Sequence, residues 1–315
     1  MAHRVAEQAA MQRRIAIVND HRWIQPVDPD TYVQNILTED ALLTAAFEAR
    51  GLATERVDWA EPGIDWRAFD AALIRQTWDY FERYSEFCAW LDRIEHETRV
   101  FNPIDIVRWN GDKRYLLDIA AAGVPTVSTR VMKRQQEPPA LGALLAEPGW
   151  NEAVVKPAVS GAGRETFRAS HPVVDEIEAR WRKLLRAEDM LIQPFMPSIV
   201  DRGEVSLVVL AGSVTHAVRK IAAPGEFRVQ DDHGGTVHEH APTAAEIAIS
   251  ERAIAAIPGD VAYARVDLVD GPDGPLIMEL ELIEPELFLR HNPGAADRLA
   301  GAIVAALTDR FEASG

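Results

Sequence analysis

The sequence predicts an α/β protein that opens with a parallel sheet and continues into a second, strand-richer α/β unit, and three observations predict it. Over the first third of the chain, short apolar runs alternate with helical patterns, the signature of parallel strands joined by crossover helices. From Met190 onward consecutive strands are separated by turn residues, so hairpins are expected there. With 315 residues the chain is also long enough for two domains, or for one with an appended subdomain.

Taken in order, RIAIV at 14–18 reads as a buried strand, and 39–50 as a helix with Gly51 at its cap. ERVDW and AALIR supply the second and third strands. The helix that follows carries Tyr84, Phe87, Leu91 and Ile94 at helical spacing, together with Cys88, the single cysteine. Cys88 is expected to be a small buried hydrophobe, and disulfides and cysteine-ligated metals are excluded. The first strand runs into Asn19, Asp20 and His21 rather than a G-x-G-x-x-G turn, and no G-x-x-x-x-G-K-[ST] segment occurs. Nicotinamide, flavin and P-loop enzymes are therefore disfavoured. Past VFNP, a helix near 112–122 ends at Gly123, and strands at 125–131, 153–157 and 164–168 bracket a helix and a glycine loop. EVSLVVLAG and SVTHAVRK form a hairpin about Gly212. A polar segment, 221–240, precedes a helix, a second hairpin and a final helix near 295–308. Three portions are expected, 12–112, 113–190 and 191–312, the last two forming one unit.

Composition narrows the function. Hydrophobic residues make up 47% and charged residues 26%, which suits a folded globular chain, and the net charge of −16 repels phosphate backbones and anionic lipid. Neither nucleic acid nor a membrane is an expected partner. No run approaches the roughly 20 apolar residues of a spanning helix. The opening MAHRVAEQAA has no apolar core of a signal peptide, so a cytoplasmic location is expected, with Met11 a candidate start.

The segment YARVDLVDGPDGPLIMELELIEP carries the sharpest chemistry. Ala264, Val266 and Leu268 alternate with Arg265 and Asp267, and Met278, Leu280 and Leu282 with Glu279 and Glu281, about a DGPDG turn. If the two strands pair with an even residue sum, Asp267, Glu279 and Glu281 share one face. Like charges on adjacent strands destabilise each other, so a cation is required. Mg²⁺ suits carboxylate oxygens and substrate phosphates, and Arg265 on that face could hold a phosphate oxygen. An ordinary hairpin with a solvated face alternates in the same way.

AVVKPAVSGAGRETF decides between them. A strand delivers Lys156, then a loop from Ser160 through Gly161 to Gly163, whose glycines let backbone wrap a polyphosphate. WNGDKRYLLDIAAAGVP adds Lys113 at the start of a helix. MLIQPFMP ends an apolar strand with Gln193, Pro194 and Phe195, which suit the edge and face of adenine. Together these suggest a nucleotide held between two sheets.

The ordered set of Lys113, Lys156 with its glycine loop, QPF, GEVSLVV, VRK, R-x-D and E-x-E resembles the ATP-grasp superfamily, in particular its glutathione synthetase-like branch, over nearly the whole chain. WNGDKRYL, HAVRK, GEFRVQ and MELELIEP further resemble the cyclo-ligases of cycloserine formation (O-ureido-serine cyclo-ligases) and their relatives. The resemblance implies an amino-terminal pre-ATP-grasp domain with an open parallel sheet, followed by a two-subdomain ATP-grasp fold. It implies an ADP-forming carboxylate–amine ligase acting through an acyl phosphate on a small amino-acid-like substrate, with intramolecular cyclisation as one form. Lys113 and Lys156 would then contact ATP phosphates, and Gln193 to Phe195 would form the hinge beside adenine. Lys220 and Arg228 would reach the γ-phosphate or acyl phosphate, and Asp267 and Glu279 would hold Mg²⁺, with Mn²⁺ as an alternative. Glu281 stands where the family generally has Asn, which alters the metal site. Homodimers are common in the family.

Further expectations follow from position. The segment 221–235, with Gly225, Gly234 and Gly235, reads as a lid over ATP. The interleaved acids assign His233, His238 and His240 to a polar loop rather than to zinc. Acceptor residues are sought at the ends of the amino-terminal strands, among Asn19, Asp20, His21, Arg75, Trp78 and Asp79, with Arg75 able to fork a substrate carboxylate. Competing readings are a small-molecule phosphotransferase and a catalytically inactive nucleotide-binding module.

Overall fold

The computed structural model describes residues 13–229 and 234–312, the last four of them as backbone only. Its first sheet is the expected parallel one. β1 (Arg14–Asn19) is followed by helix α1 (Thr31–Glu48), β2 (Ala53–Asp58), β3 (Ala71–Ile74), α2 (Tyr84–Ile94) and β4 (Arg99–Phe101), in the strand order β2-β1-β3-β4. β1 and β3 are buried on both faces, which explains their unbroken apolar runs. Helix α1 starts at Thr31, well before the expected 39, because the Asp30 side chain accepts from the Val33 amide at 2.9 Å and caps it. Cys88 is half-buried, a correction to the expected core position. On α2 the buried face is Phe87, Trp90, Leu91 and Ile94, and Cys88 lies at its margin.

Helices α3 (Ile104–Asn110) and α4 (Tyr115–Ala121) lead to a second, antiparallel sheet of β5 (Arg130–Met132), β6 (Glu152–Pro157), β7 (Phe167–Ser170) and β8 (Met190–Pro194), ordered β5-β8-β6-β7. It packs on α5 (Leu141–Ala146) and α6 (Asp175–Ala187) around Leu141, Leu145, Val155, Trp181, Leu185 and Ile192. β8 crosses the division expected at 190, since its hydrogen bonds go to β5 and β6. The strand expected at 125–131 shrinks to 130–132, because Thr126 pairs instead with Ile277 of the third sheet. The strand expected at 164–168 begins at Phe167, after a turn in which Ala162 and Glu165 take positive φ.

After the short α7 (Ser198–Asp201), the third sheet holds β9 (Glu204–Leu210), β10 (Ser213–Ile221), β11 (Thr236–His240), β12 (Tyr263–Gly271) and β13 (Gly274–Glu281), antiparallel in the order β11-β10-β9-β12-β13. The polar segment expected at 221–240 thus ends in a strand, whose hydrogen bonds close the edge of β10. Helix α8 (Ala244–Ala255) is opened by a capping box of Thr243 and Glu246. Helix α9 (Gly294–Glu312) returns to the amino-terminal sheet, where Leu299 and Ile303 share a core with Leu43 and Phe47 of α1.

Two side chains fasten the first sheet to the third. Asn102 donates to the carbonyls of Tyr263 (2.9 Å) and Leu282 (2.8 Å) and accepts from the Ala262 amide (2.7 Å). The Tyr263 hydroxyl lies within 3.1 Å of the carbonyls of Ile74, Phe101 and Ile283 and can donate to one at a time. Among the described residues no helix is long and apolar enough to cross a membrane.

Candidate functional site

The three sheets enclose a cavity of about 440 Å³. β12 and β13 pair with Asp267 opposite Glu279 and Arg265 opposite Glu281, an even sum, so the acids share one face as the alternation requires. A bulge follows Asp267, which ends that register just beyond the charged positions. β13 is pinned from the other side. The Asn110 side chain donates to the Leu280 carbonyl and accepts from the Leu282 amide, and the Tyr115 hydroxyl accepts from the Leu280 amide.

Four cations meet these acids. Lys113, whose amide bonds the Ala158 carbonyl at 2.8 Å, pairs with Glu279, and Lys156 from β6 stands 3.6 Å from the same carboxylate. Lys220 from β10 pairs with Glu204 of β9 and lies 3.5 Å from Asp267. Arg265 spans Asp267 at 2.9 Å and Glu281. The acids respond unequally. Burial alone would raise Glu279, but Lys113 and Lys156 outweigh it and bring the carboxyl to about 2. Asp267, also buried, is driven well below the usual range by Arg265 and Lys220. Burial lifts Glu281 to about 7 despite Arg265, because Asp267 and Glu279 add like charge. Lys113 is buried, yet Glu279 holds it above its ordinary value, whereas burial pulls the more distant Lys156 below its own.

The rest of the lining divides by chemistry. Ser160, Gly161, Ala162 and Gly163 border the cavity beside Lys156, and Gly163 has φ +67°. A Cβ on Gly161 would enter the Phe81 ring, so this glycine is required by close approach to the amino-terminal domain. Gln193, Pro194 and Phe195 line an apolar slot with Val154, Met278 and Phe227, and Gln193 donates to Thr129 at 2.9 Å. From the segment expected to be a lid, Phe227, Arg228 and Val229 face the cavity; residues 230–233, and with them His233, lie outside the described residues. His238 and His240 sit on β11 rather than in a loop, the first bonded to Thr236 and the second to Glu246.

Of the expected acceptor residues only Trp78 lines the cavity. Arg75 is a correction. It is fully buried, ion-paired with Glu39 and donating to the Pro285 carbonyl at 2.6 Å, so its charge is spent on a buried acid of α1. Asn19 and Asp20 are equally buried. Asn19 turns back to the Ile17 carbonyl, and Asp20 holds Arg22, which reaches the cavity in its place. Asp267 too stays beneath the surface, bonded by Ser206 and Arg265, while Glu279 and Glu281 face inward.

Residues 15–102 match the family of the D-cycloserine synthetase DcsG N-terminal domain, and residues 151–287 match the RimK-like ATP-grasp domain. The chain is 34% identical over 283 residues to the cycloserine biosynthesis protein DcsG of Streptomyces lavendulae, an alignment covering 83% of this chain and 91% of that protein. The chain belongs to the ATP-grasp ligases. Glutathione synthetase of Ralstonia nicotianae is 26% identical over 267 residues, 81% of this ligase and 78% of that enzyme. The crystal structure of D-cycloserine synthetase DcsG superposes with a TM-score of 0.80 at 30% identity, over 93% of this chain and 99% of that one. D-alanine–D-alanine ligase of Bacillus anthracis, solved in complex with ATP, shares the fold at a TM-score of 0.66 and 15% identity, over 96% of this chain and 100% of that one.

For an ATP-grasp ligase the donor set suits Mg²⁺. Among the described residues no three His, Cys, Asp or Glu side chains form a ready-made cage. Mg²⁺ commonly takes only one or two carboxylates from the protein and completes its shell with phosphates and water. Glu279, ionised and facing the cavity, and Glu281 beside it meet that need, with Asp267 behind them.

Sequence reasoning missed six contributors to this ligase site. Glu204 and Ser206 alternate on β9 opposite Asp267, so the period-two pattern of GEVSLVV could have revealed them. Arg22, Trp23 and Tyr32 come from loop and helix positions without periodic signal, and Glu284 lies just past β13, in the same IEP segment that closes the resemblance.

Proposed function

We propose that the chain is an ATP-dependent, ADP-forming carboxylate–amine ligase acting through an acyl phosphate on a small amino-acid-like substrate. Similarity to a D-cycloserine synthetase favours ring closure within one molecule. The observation that carries the reading is the convergence of Lys113, Lys156, Lys220 and Arg265 on buried carboxylates at one cavity that also has a glycine loop and an apolar slot.

In this reading Gln193, Pro194 and Phe195 seat the adenine. Lys113, Lys156 and the backbone of Ser160, Gly161 and Gly163 neutralise and orient the phosphates. Mg²⁺, or Mn²⁺ in its place, would be held by Glu279 and Glu281 with Asp267 behind them, and supplies charge neutralisation at the phosphates. A substrate carboxylate oxygen forms a bond to the γ-phosphorus as the bond to the ADP oxygen breaks. Lys220, Arg228 and Arg265 stabilise the charge on the transferring group, the dominant need of such a step. The nitrogen then attacks the acyl carbon and loses a proton, and inorganic phosphate leaves with the former carboxylate oxygen. Closing Phe227, Arg228 and Val229 over the cavity would keep water from the acyl phosphate. A cytoplasmic location and a homodimer belong to the same reading.

The test incubates the protein with MgATP and a panel of amino acids, hydroxamates, and ureido or aminooxy amino acids. The expected outcome is equal release of ADP and phosphate with a product lighter than its substrate by one water. A stable phosphate ester without free phosphate would make the protein a phosphotransferase. Tight ATP binding without turnover across the panel would make it an inactive nucleotide-binding module.

A further inference from the structure

Among the described residues five carboxylates line the cavity, and four of them have a cation: Glu204 has Lys220, Glu279 has Lys113 and Lys156, Glu281 has Arg265, and Glu286 has Arg290. Glu284 has no ion-pair partner among the described residues, although its residue is only 9% exposed. The cations of the lining are all engaged elsewhere, Arg22 by Asp20 and Arg228 by Glu226 among them. Burial, with Glu281 nearby, raises the Glu284 carboxyl to about 8, as expected for an acid whose countercharge is missing.

The surroundings say what that countercharge would be. The backbone carbonyl of Glu284 accepts from the Trp78 indole at 2.9 Å, which ties it to the amino-terminal domain. Trp78 belongs to a wall with Trp23 and Tyr32, at ring centroid separations of 5.9 to 6.2 Å, and all three border the same cavity. Aromatic faces beside a buried carboxylate attract a compact organic cation and repel a second anion. A metal ion is a poorer fit, since among the described residues no three His, Cys, Asp or Glu side chains gather there to hold one.

We propose that Glu284 and the Trp23–Tyr32–Trp78 wall bind a protonated amino group of the substrate that takes no part in bond formation, so that the ligase selects small amino acids with a free amino group over their N-acylated counterparts. The substrate carboxylate would then point toward Lys220 and Arg265 while its ammonium is anchored at the other end. This inference rests on the ligase reading above and adds the residue that sets its substrate class.

The test is calorimetric titration of the wild-type protein, E284Q and E284D with serine and N-acetylserine, each as both enantiomers, with and without MgATP. Wild type should bind at least one enantiomer of serine and not its N-acetyl derivative. E284Q should weaken that binding by roughly tenfold to a hundredfold, the worth of a charged hydrogen bond, and E284D should recover part of it. Equal binding of serine and N-acetylserine, equal binding by wild type and E284Q, or no binding of either compound would overturn the inference. MgATP titrated alone reports on the ligase reading separately, and its affinity should be the same in E284Q. Melting temperatures of the variants exclude misfolding as the cause of any loss.

Discussion

Glu279 stands between Lys113 and Lys156, so its removal and theirs have different consequences. Glu279→Ala leaves two buried ammonium groups without a partner, whereas Lys156→Met leaves Glu279 still held by Lys113. Urea unfolding should show E279A losing about 3 kcal/mol and K156M about 1 kcal/mol or less. Steady-state ADP release should fall by roughly a hundredfold to a thousandfold in both, since each removes charge stabilisation from phosphoryl transfer. Glu284 makes a second, pH-dependent prediction. The unfolded chain loses this proton near 4.5, while the folded chain keeps it to about 8, so the folded state binds more protons between those values. Stability of the free protein should therefore decline as pH rises across that window. E284Q removes this contribution, and its advantage over wild type should grow steadily from about pH 5 to pH 8 in urea titrations.

At the scale of elements, the glycine loop is tied to the amino-terminal domain through Gly161 and Phe81. Gly161→Ala should displace the loop and raise KM for ATP several-fold with little change in melting temperature, and adding Phe81→Ala should restore part of the affinity. Unchanged KM in G161A would mean the loop does not meet phosphate. The charged hairpin was legible because strands alternate with period two, so spacing reduced the shared face of Asp267, Glu279 and Glu281 to one condition, an even pairing sum, and the register of the fold meets it. The start of α1 and the strand β11 were not legible in that way. The first depends on a single capping contact from Asp30, and the second on an edge of β10 that needed a partner, while its own residues, TVHEH, are polar.

Across the whole molecule, Asn102 is the clearest tie between the first sheet and the third. Asn102→Ala removes all four hydrogen bonds of this buried side chain and should cost about 2 to 4 kcal/mol in urea unfolding. Because the cavity is walled from both sides of this junction, KM for the carboxylate substrate should rise with it. An unchanged unfolding midpoint would show that the junction is held without Asn102, by Tyr263, the Trp78 and Arg75 bonds to backbone carbonyls, and the apolar core.

Residue order and spacing were enough to dictate the alternating strand faces and the glycine loop, because those follow from alternation and turn chemistry over short stretches of chain, whereas Lys113 and Lys220 were placed at the site only by the family resemblance. Which charge neutralises which was decided only by folding. Arg75 looked free to grip a substrate but lies beneath the site against Glu39, and Lys113 finds Glu279 across 166 residues of chain. Burial determines the difference, since a charge removed from water must take whatever partner the packing brings within reach. Among the described acids that line the cavity, Glu284 is the one to which the packing brings no cation.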